Sequence, residues 1–261
     1  MGRDARIWFL GEGEDRSSWE RALAGGGWVD GESLKLDDRG RGVWRAELVG
    51  RDCVVKARPL PGVLDRLKQR LGATDLARAC LGAALLEAKG FSTPRVCVMG
   101  LARLDTGWHE VLVTECAKGR MLLSRWVEAD DTDRQTLAQR AGRVVGELCA
   151  AGVFNRDCKP SNLMMDGDEI AIVDVGGVRA TGGDWTRELA RMISMLGFEP
   201  TGVGARPGYW EIVVGVRSAL RAAGMAGEAR ERLVSYLRRL IAEHGDPTPR
   251  DNPVAPNADM R

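Results

Sequence analysis

Asn155-Arg156-Asp157-Cys158-Lys159-Pro160-Ser161-Asn162, followed at residues 169–176 by Glu-Ile-Ala-Ile-Val-Asp-Val-Gly, is the stretch from which the rest of this 261-residue chain is read. It holds an acid able to take a hydroxyl proton (Asp157) and a cation for phosphate (Lys159). It also holds two oxygen donors suited to a hard cation such as Mg2+, Asn162 and Asp174. Phosphoryl transfer asks for positioning and charge neutralisation rather than covalent help, and these are its parts. Pro, Ser and Asn also favour ordinary turns. The second segment argues for the chemistry: Glu169 to Val173 is an apolar, β-branched run preceded by a turn at Gly167. A hairpin there would return Asp174 to the side of Asn162.

Bulk properties narrow the alternatives. Basic residues number 38 and acidic residues 37, a net charge of +1, so no global field favours nucleic acid. The six cysteines (53, 80, 97, 116, 149, 158) form no Cys-x-x-Cys pair and only two histidines are present. A zinc site or disulfide framework is therefore not expected, and reduced thiols in a cytosol are. The start, Met-Gly-Arg-Asp-Ala-Arg, leads into an apolar stretch too short for a signal peptide. No window approaches the roughly 18 apolar residues of a membrane span. A soluble protein is expected, of a length that suits one bilobal unit or two modest domains.

Along the chain, residues 1–33 carry three tryptophans and the Gly25-Gly26-Gly27 break, and receive no role. Strands are expected at Leu34–Asp38, Val43–Val49 and Cys53–Ala57, then at Pro94–Leu101 and Glu110–Thr114. Residues 63–70 look helical and basic, and Thr74 caps a helix that runs to about Lys89 and stops at Gly90. After Gly119 the pattern turns helical. Met121–Glu128 is short; Asp133–Ala151 places Leu137, Ala141, Val144, Val145 and Leu148 on one face. Further helices are expected at Trp185–Leu196, Glu211–Ala223 and Glu228–His244. From Gly245 the four prolines suggest a disordered tail.

The spacing of the opening stretch resembles the protein-kinase catalytic loop followed by its Asp-Phe-Gly metal site, with Asn155 in place of His and Val175 in place of Phe. Lys56 closes Cys-Val-Val-Lys, the setting of the strand lysine that pairs with α- and β-phosphates. Gly40 and Gly42, within Arg39-Gly40-Arg41-Gly42-Val43, could let backbone amides approach phosphate, although a plain hairpin turn reads nearly as well. Glu115 ends a strand where the hinge between lobes should fall. Backbone groups of Glu115 and Ala117 would face an adenine, and Val43, Val54 and Val173 would line its slot.

The order Val-Trp-Arg, Val-Val-Lys, Gly-Phe-Ser-Thr-Pro-Arg-Val, Leu-Val-Thr-Glu, Asn-Arg-Asp-Cys-Lys-Pro-Ser-Asn and Val-Asp-Val-Gly-Gly-Val-Arg is similar to the bacterial lipopolysaccharide core kinases. These heptose and Kdo kinases are a branch of the protein-kinase-like superfamily, and the resemblance covers about Leu34 to Leu196. It implies a two-lobed α+β fold with a five-stranded antiparallel sheet and one main helix in the first lobe (34–116), and a helical second lobe (117–244). It also implies ATP and Mg2+ as cofactors, with Asp157 as base and Lys159 and Lys56 on phosphate. Asn162 and Asp174 would be the metal ligands. The implied acceptor is a sugar hydroxyl of the lipid A-core, reached from the cytoplasmic face of the inner membrane.

Two features open alternatives. Positions 79–84 read Ala-Cys-Leu-Gly-Ala-Ala where a glutamate partner for Lys56 belongs, so Glu87, near the helix end, stands as the candidate. A pseudokinase acting as a nucleotide-binding module, or a compact atypical Ser/Thr protein kinase, are the competing readings. Only about ten residues separate Gly176 from Trp185 and no Ala-Pro-Glu occurs after them, which leaves little to dock a peptide. The basic residues Arg66, Lys68 and Arg70, like those of the last helix, could meet phosphorylated lipid. Neighbouring acids dilute both sets, and solvated charge is the preferred reading.

Overall fold

The computed structural model describes residues 4–37 and 40–244. In chain order its elements are β1 (Ala5–Leu10), α1 (Arg16–Gly25), β2 (Glu32–Leu36), β3 (Gly42–Leu48), β4 (Arg51–Pro59), α2 (Val63–Arg70), α3 (Asp75–Ala88), β5 (Val96–Leu104) and β6 (Gly107–Glu115). Then come β7 (Arg120–Met121), α4 (Leu122–Glu128), α5 (Asp131–Ala150), β8 (Val153–Asn155), β9 (Leu163–Asp166), β10 (Glu169–Ile172), β11 (Val178–Ala180), α6 (Trp185–Gly202), α7 (Tyr209–Ala222) and α8 (Gly227–His244). Two units emerge: residues 1–84 with 93–117, and residues 85–92 with 118–261. The expected tail from Gly245, and the expected Asp38 and Arg39 positions, lie outside the described residues.

The first unit is a six-stranded antiparallel sheet in the order β1-β5-β6-β4-β3-β2. The sequence predicts five strands; the sixth is β1, an apolar and aromatic run (Ala-Arg-Ile-Trp-Phe-Leu) that pairs with β5 at the sheet edge. It escapes local reading because its partner lies some ninety residues away. Cys53, Val55 and Ala57 of β4 and Val111 and Val113 of β6 point to one face. Trp19 and Leu23 of α1 cover that face together with Trp28 from the short 3-10 turn Gly27–Asp30. Trp28 meets Trp44 of β3 edge-on, with centroids 5.3 Å apart. Of the three tryptophans that gave no local signal, Trp19 and Trp28 are therefore core, whereas Trp8 is exposed.

One acid ties this N-terminal layer to the strands. The Glu14 carboxylate accepts from Trp19 Nε1 at 2.8 Å and from Arg51 Nη1 at 2.5 Å, and it also pairs with Arg95. The Arg95 guanidinium in turn reaches Glu115 Oε1 at 3.1 Å. Burial alone would raise the Glu14 pKa, yet these donors hold it below the ordinary carboxylate range.

Local signals place α3 as expected. Thr74 Oγ1 accepts from the Ala77 N–H at 3.1 Å, and Gly90 ends the run with φ 78°, a conformation glycine adopts without strain. Thr74 also donates to Glu110 of β6 at 2.8 Å. Glu110 is fully buried beside Arg58, and burial pushes its carboxyl pKa up.

In the second unit α5 buries the predicted face: Leu137, Ala141, Val144, Val145 and Leu148 are all in the core. Its Gly142 lies so close to α7 that a Cβ would stand 2.1 Å from the Gly215 carbonyl oxygen. A three-stranded sheet (β10-β9-β7) and the pair β11-β8 frame the loop between β8 and β9. Residues 85–92 group with this unit, and the Ile172 N–H donates to the Ser92 carbonyl at 2.9 Å.

Candidate active site

The loop 155–162 is held from three sides. Asn155, wholly buried at the end of β8, accepts the Asp157 N–H through Oδ1 at 3.1 Å. It thus performs the bracing role that a histidine would have, with a shorter side chain. Asn162 donates from Nδ2 to the Asp157 carbonyl at 2.9 Å, and the Lys159 N–H bonds to the same carbonyl at 2.9 Å. Glu199, on α6, accepts from both the N–H and the hydroxyl of Ser161, at 2.7 and 2.6 Å, and stands 3.7 Å from Lys159 Nζ. Cys158 is buried, which pushes its thiol up to about 12 and keeps it inert.

The predicted hairpin forms. β9 and β10 pair from Asp166↔Glu169 to Leu163↔Ile172, and the Val173 N–H donates to the Asn162 carbonyl at 2.9 Å. Asn162 and Asp174 are thereby brought to neighbouring ends of one hairpin. Asp174 is exposed and sits in the left-handed region at φ 54°, ψ 56°. Outside glycine that conformation is uncommon, best tolerated by Asn and Asp, and concentrated at functional sites. Val175, the residue after Asp174, is buried.

Asp157 is partly exposed and ion-pairs with Arg156 at 3.1 Å. Its carboxylate lies against the backbone of Gly177, where a Cβ would meet Oδ2 at 2.6 Å. The Gly177 carbonyl also accepts the Arg156 N–H at 3.1 Å, and Val178–Ala180 pair with Val153–Asn155. Glu188 of α6 holds Arg179 at 2.7 Å, and Arg179 stacks over Phe154 at 4.6 Å. The segment after the β9–β10 hairpin therefore builds the floor under Asp157.

Fit to a magnesium ion can be judged from the donors. Asn162 spends Nδ2 on a backbone carbonyl, which leaves its Oδ1 for a cation, and Asp174 adds an exposed carboxylate. Two hard oxygen ligands suit Mg2+, which keeps several waters and shares phosphate oxygens. No cluster of three His, Cys, Asp or Glu occurs among the described residues, so a closed protein cage is not what is built.

In the first unit, Val43 pairs across strands with Lys56, and Arg45 with Val54. Val43, Val54 and Lys56 therefore share one face of the sheet, opposite to the tryptophan core. Gly40 (φ 72°) lies in the turn between β2 and β3, where Asp37 Oδ1 accepts the Arg41 N–H at 2.8 Å. Gly42 has a packing reason of its own: the Trp44 ring would stand 2.1 Å from any Cβ there. Glu115 and Ala117 close this unit, with the Glu115 N–H donated to Arg95 and the Cys116 N–H to Asp52, both at 2.9 Å. Glu87 is exposed on the last turn of α3 and belongs with the second unit. Glu199 and Gly177 are the loop-holding residues that sequence reasoning did not single out; Asn155 was noted there only as a replacement for His.

A model of the lipopolysaccharide kinase (Kdo/WaaP) family matches residues 64–180. Among solved structures, one described as WaaP in complex with acyl carrier protein aligns with a TM-score of 0.59 at 20% identity, covering 91% of this chain and 98% of that one. The bifunctional kinase-methyltransferase WbdD aligns with a TM-score of 0.43 at 19% identity, covering 78% of this chain and 47% of that one. No curated protein sequence matches. The WaaP alignment shows a shared fold, in line with the two-lobed α+β architecture read from the motifs.

Proposed function

We propose that this protein, residues 64–180 of which match a model of the lipopolysaccharide kinase (Kdo/WaaP) family, moves the γ-phosphate of ATP to a sugar hydroxyl of a lipopolysaccharide inner core. The observation that supports the reading is the loop 155–162 itself, held around Asp157 and Lys159 by Asn155, Asn162 and Glu199, with Asn162 and Asp174 at the two ends of the hairpin that follows. Asp157 accepts the acceptor hydroxyl's proton as that oxygen attacks the γ-phosphorus; the bond to the bridging oxygen breaks and ADP leaves. Lys159 neutralises charge on the transferred group, and Lys56 holds the α- and β-phosphates. Asn162 and Asp174 would hold Mg2+, which offsets the negative charge between β- and γ-phosphates. Gly40 and Gly42 would cover the phosphates. Val43, Val54 and Val173 would line the adenine slot, against backbone groups of Glu115 and Ala117.

The short run of chain beyond the metal hairpin favours a sugar acceptor over a peptide. Val178–Ala180 are spent on β11, and only residues 181–184 remain before α6 begins at Trp185. No segment is left to lay a peptide along. The pseudokinase reading draws on α3, whose positions 79–84 carry no acid, so that Glu87 is the candidate partner for Lys56. One assay separates these readings. Radiolabelled γ-phosphate should appear on purified lipid A-core when magnesium-ATP is supplied. Label on an added protein alone would favour a protein kinase, and nucleotide binding with no transfer to any acceptor would favour the pseudokinase. The proposed place of action is the cytoplasmic face of the inner membrane; no helix among the described residues is long and apolar enough to cross a membrane.

A further inference from the structure

Helix α2 has no buried residue, an unusual condition for eight residues that in isolation would barely hold a helix in water. Its apolar side chains are strongly exposed: Val63 is 81% accessible, Leu64 73%, Leu67 50% and Leu71, at the helix C-terminus, 72%. At about 100° per residue, Val63, Leu67, Leu71 and Leu64 fall on one arc of roughly a quarter to a third of the circumference. Arg66 and Arg70 flank that arc on one side and Lys68 on the other. The opposite side carries Asp65 and Gln69, the two less exposed positions of the helix. Asp65 is the only acid in α2, and it turns inward to Arg58 at 3.0 Å. The next acid along the chain, Asp75, is held by Arg41 and Arg78. The outward face is therefore an apolar stripe between cations, with no acid on it.

We propose that α2 is a docking helix for an anionic lipid bilayer. A short helix of this pattern lies in the plane of the interface, its stripe entering the boundary between headgroups and acyl chains while the basic side chains reach lipid phosphates. Charge complementarity selects this occupant. Two copies joined stripe to stripe would set Arg66, Lys68 and Arg70 of each against the same cations of the other, with no acid on that face to relieve them. The sequence alone treats these cations as solvated; their placement around an uncovered stripe changes that assignment. The inference does not rest on the kinase reading, but it deepens it by bringing a membrane-borne acceptor to the enzyme.

The test is sedimentation of the full-length protein with vesicles, in the absence of nucleotide and acceptor, so its outcome is independent of catalysis. Vesicles of phosphatidylethanolamine with phosphatidylglycerol should bind the protein, binding should weaken as salt is raised, and pure phosphatidylcholine vesicles should bind poorly. Leu64→Glu with Leu67→Glu, and separately Arg66→Glu with Lys68→Glu and Arg70→Glu, should each lower the partition onto anionic vesicles by about tenfold or more. Since α2 buries nothing, both variants should unfold at the wild-type temperature, which guards against trivial misfolding. Wild-type binding that survives both variants, or no binding to anionic vesicles, overturns the proposal. So does a wild-type oligomer that dissociates in the Leu64→Glu, Leu67→Glu variant, because it identifies a second copy as the occupant.

Discussion

Asp157→Ala is expected to cut phosphoryl transfer by about a thousandfold, within the range that a positioned general base contributes, while magnesium-ATP still binds. The expectation rests on how the loop is held. Asp157 contributes its backbone N–H to Asn155 and its carbonyl to Asn162 and Lys159, and these bonds survive loss of the carboxylate. The variant therefore removes the proposed base without collapsing the loop or the hairpin that follows it. Gly177→Ala should give a milder version of the same defect: its Cβ would stand 2.6 Å from Asp157 Oδ2, so the carboxylate must rotate away from its station. Here kcat should fall with little change in the KM for ATP. An Asp157→Ala protein that retains wild-type turnover would remove Asp157 from the catalytic role.

Trp19→Ala is expected to destabilise the protein by about 3–5 kcal/mol, the usual range for deleting a buried aromatic side chain. Trp19 is 0% exposed, fills the layer between α1 and the sheet, and donates its indole N–H to Glu14 at 2.8 Å. Its loss opens a cavity and leaves the buried Glu14 carboxylate short of one donor. Because the chain comprises two units, unfolding should be followed by more than one probe, so that a transition confined to one unit is seen as such. A change below about 1 kcal/mol would mean that the N-terminal segment is an appendage rather than part of the core.

What the sequence disclosed was local. The Thr74 cap, the Gly90 stop, the five-residue apolar face of α5 and the hairpin returning Asp174 to Asn162 each depend on neighbours within a few turns, and each appears in the structure. What it concealed depended on distance. β1 finds its partner in β5, and Trp28 finds its own in Trp44, so neither could be read from its own surroundings. Glu199 was hidden by a breaker rule: Gly197 and Pro200 suggest a helix end at Leu196, but α6 continues to Gly202 with Pro200 inside it. The extra turn is what brings Glu199 to Ser161 and Lys159. Likewise, the role of Gly177 depends on where Asp157 rests, and the apolar stripe of α2 becomes meaningful only once its side chains are seen to be uncovered.

Thermal unfolding with magnesium-ATP tests most directly the proposed magnesium-nucleotide site at Asn162 and Asp174. A ligand that binds only the folded state stabilises it by RT ln(1 + [L]/Kd), about 2.7 kcal/mol at roughly a hundredfold excess over Kd. The wild type should unfold at a higher temperature with magnesium-ATP than without it, and the shift should depend on magnesium. Asp174→Ala should lose that shift and Asp157→Ala should keep it. A wild-type protein whose unfolding temperature is indifferent to magnesium-ATP at millimolar concentration would contradict the kinase reading outright.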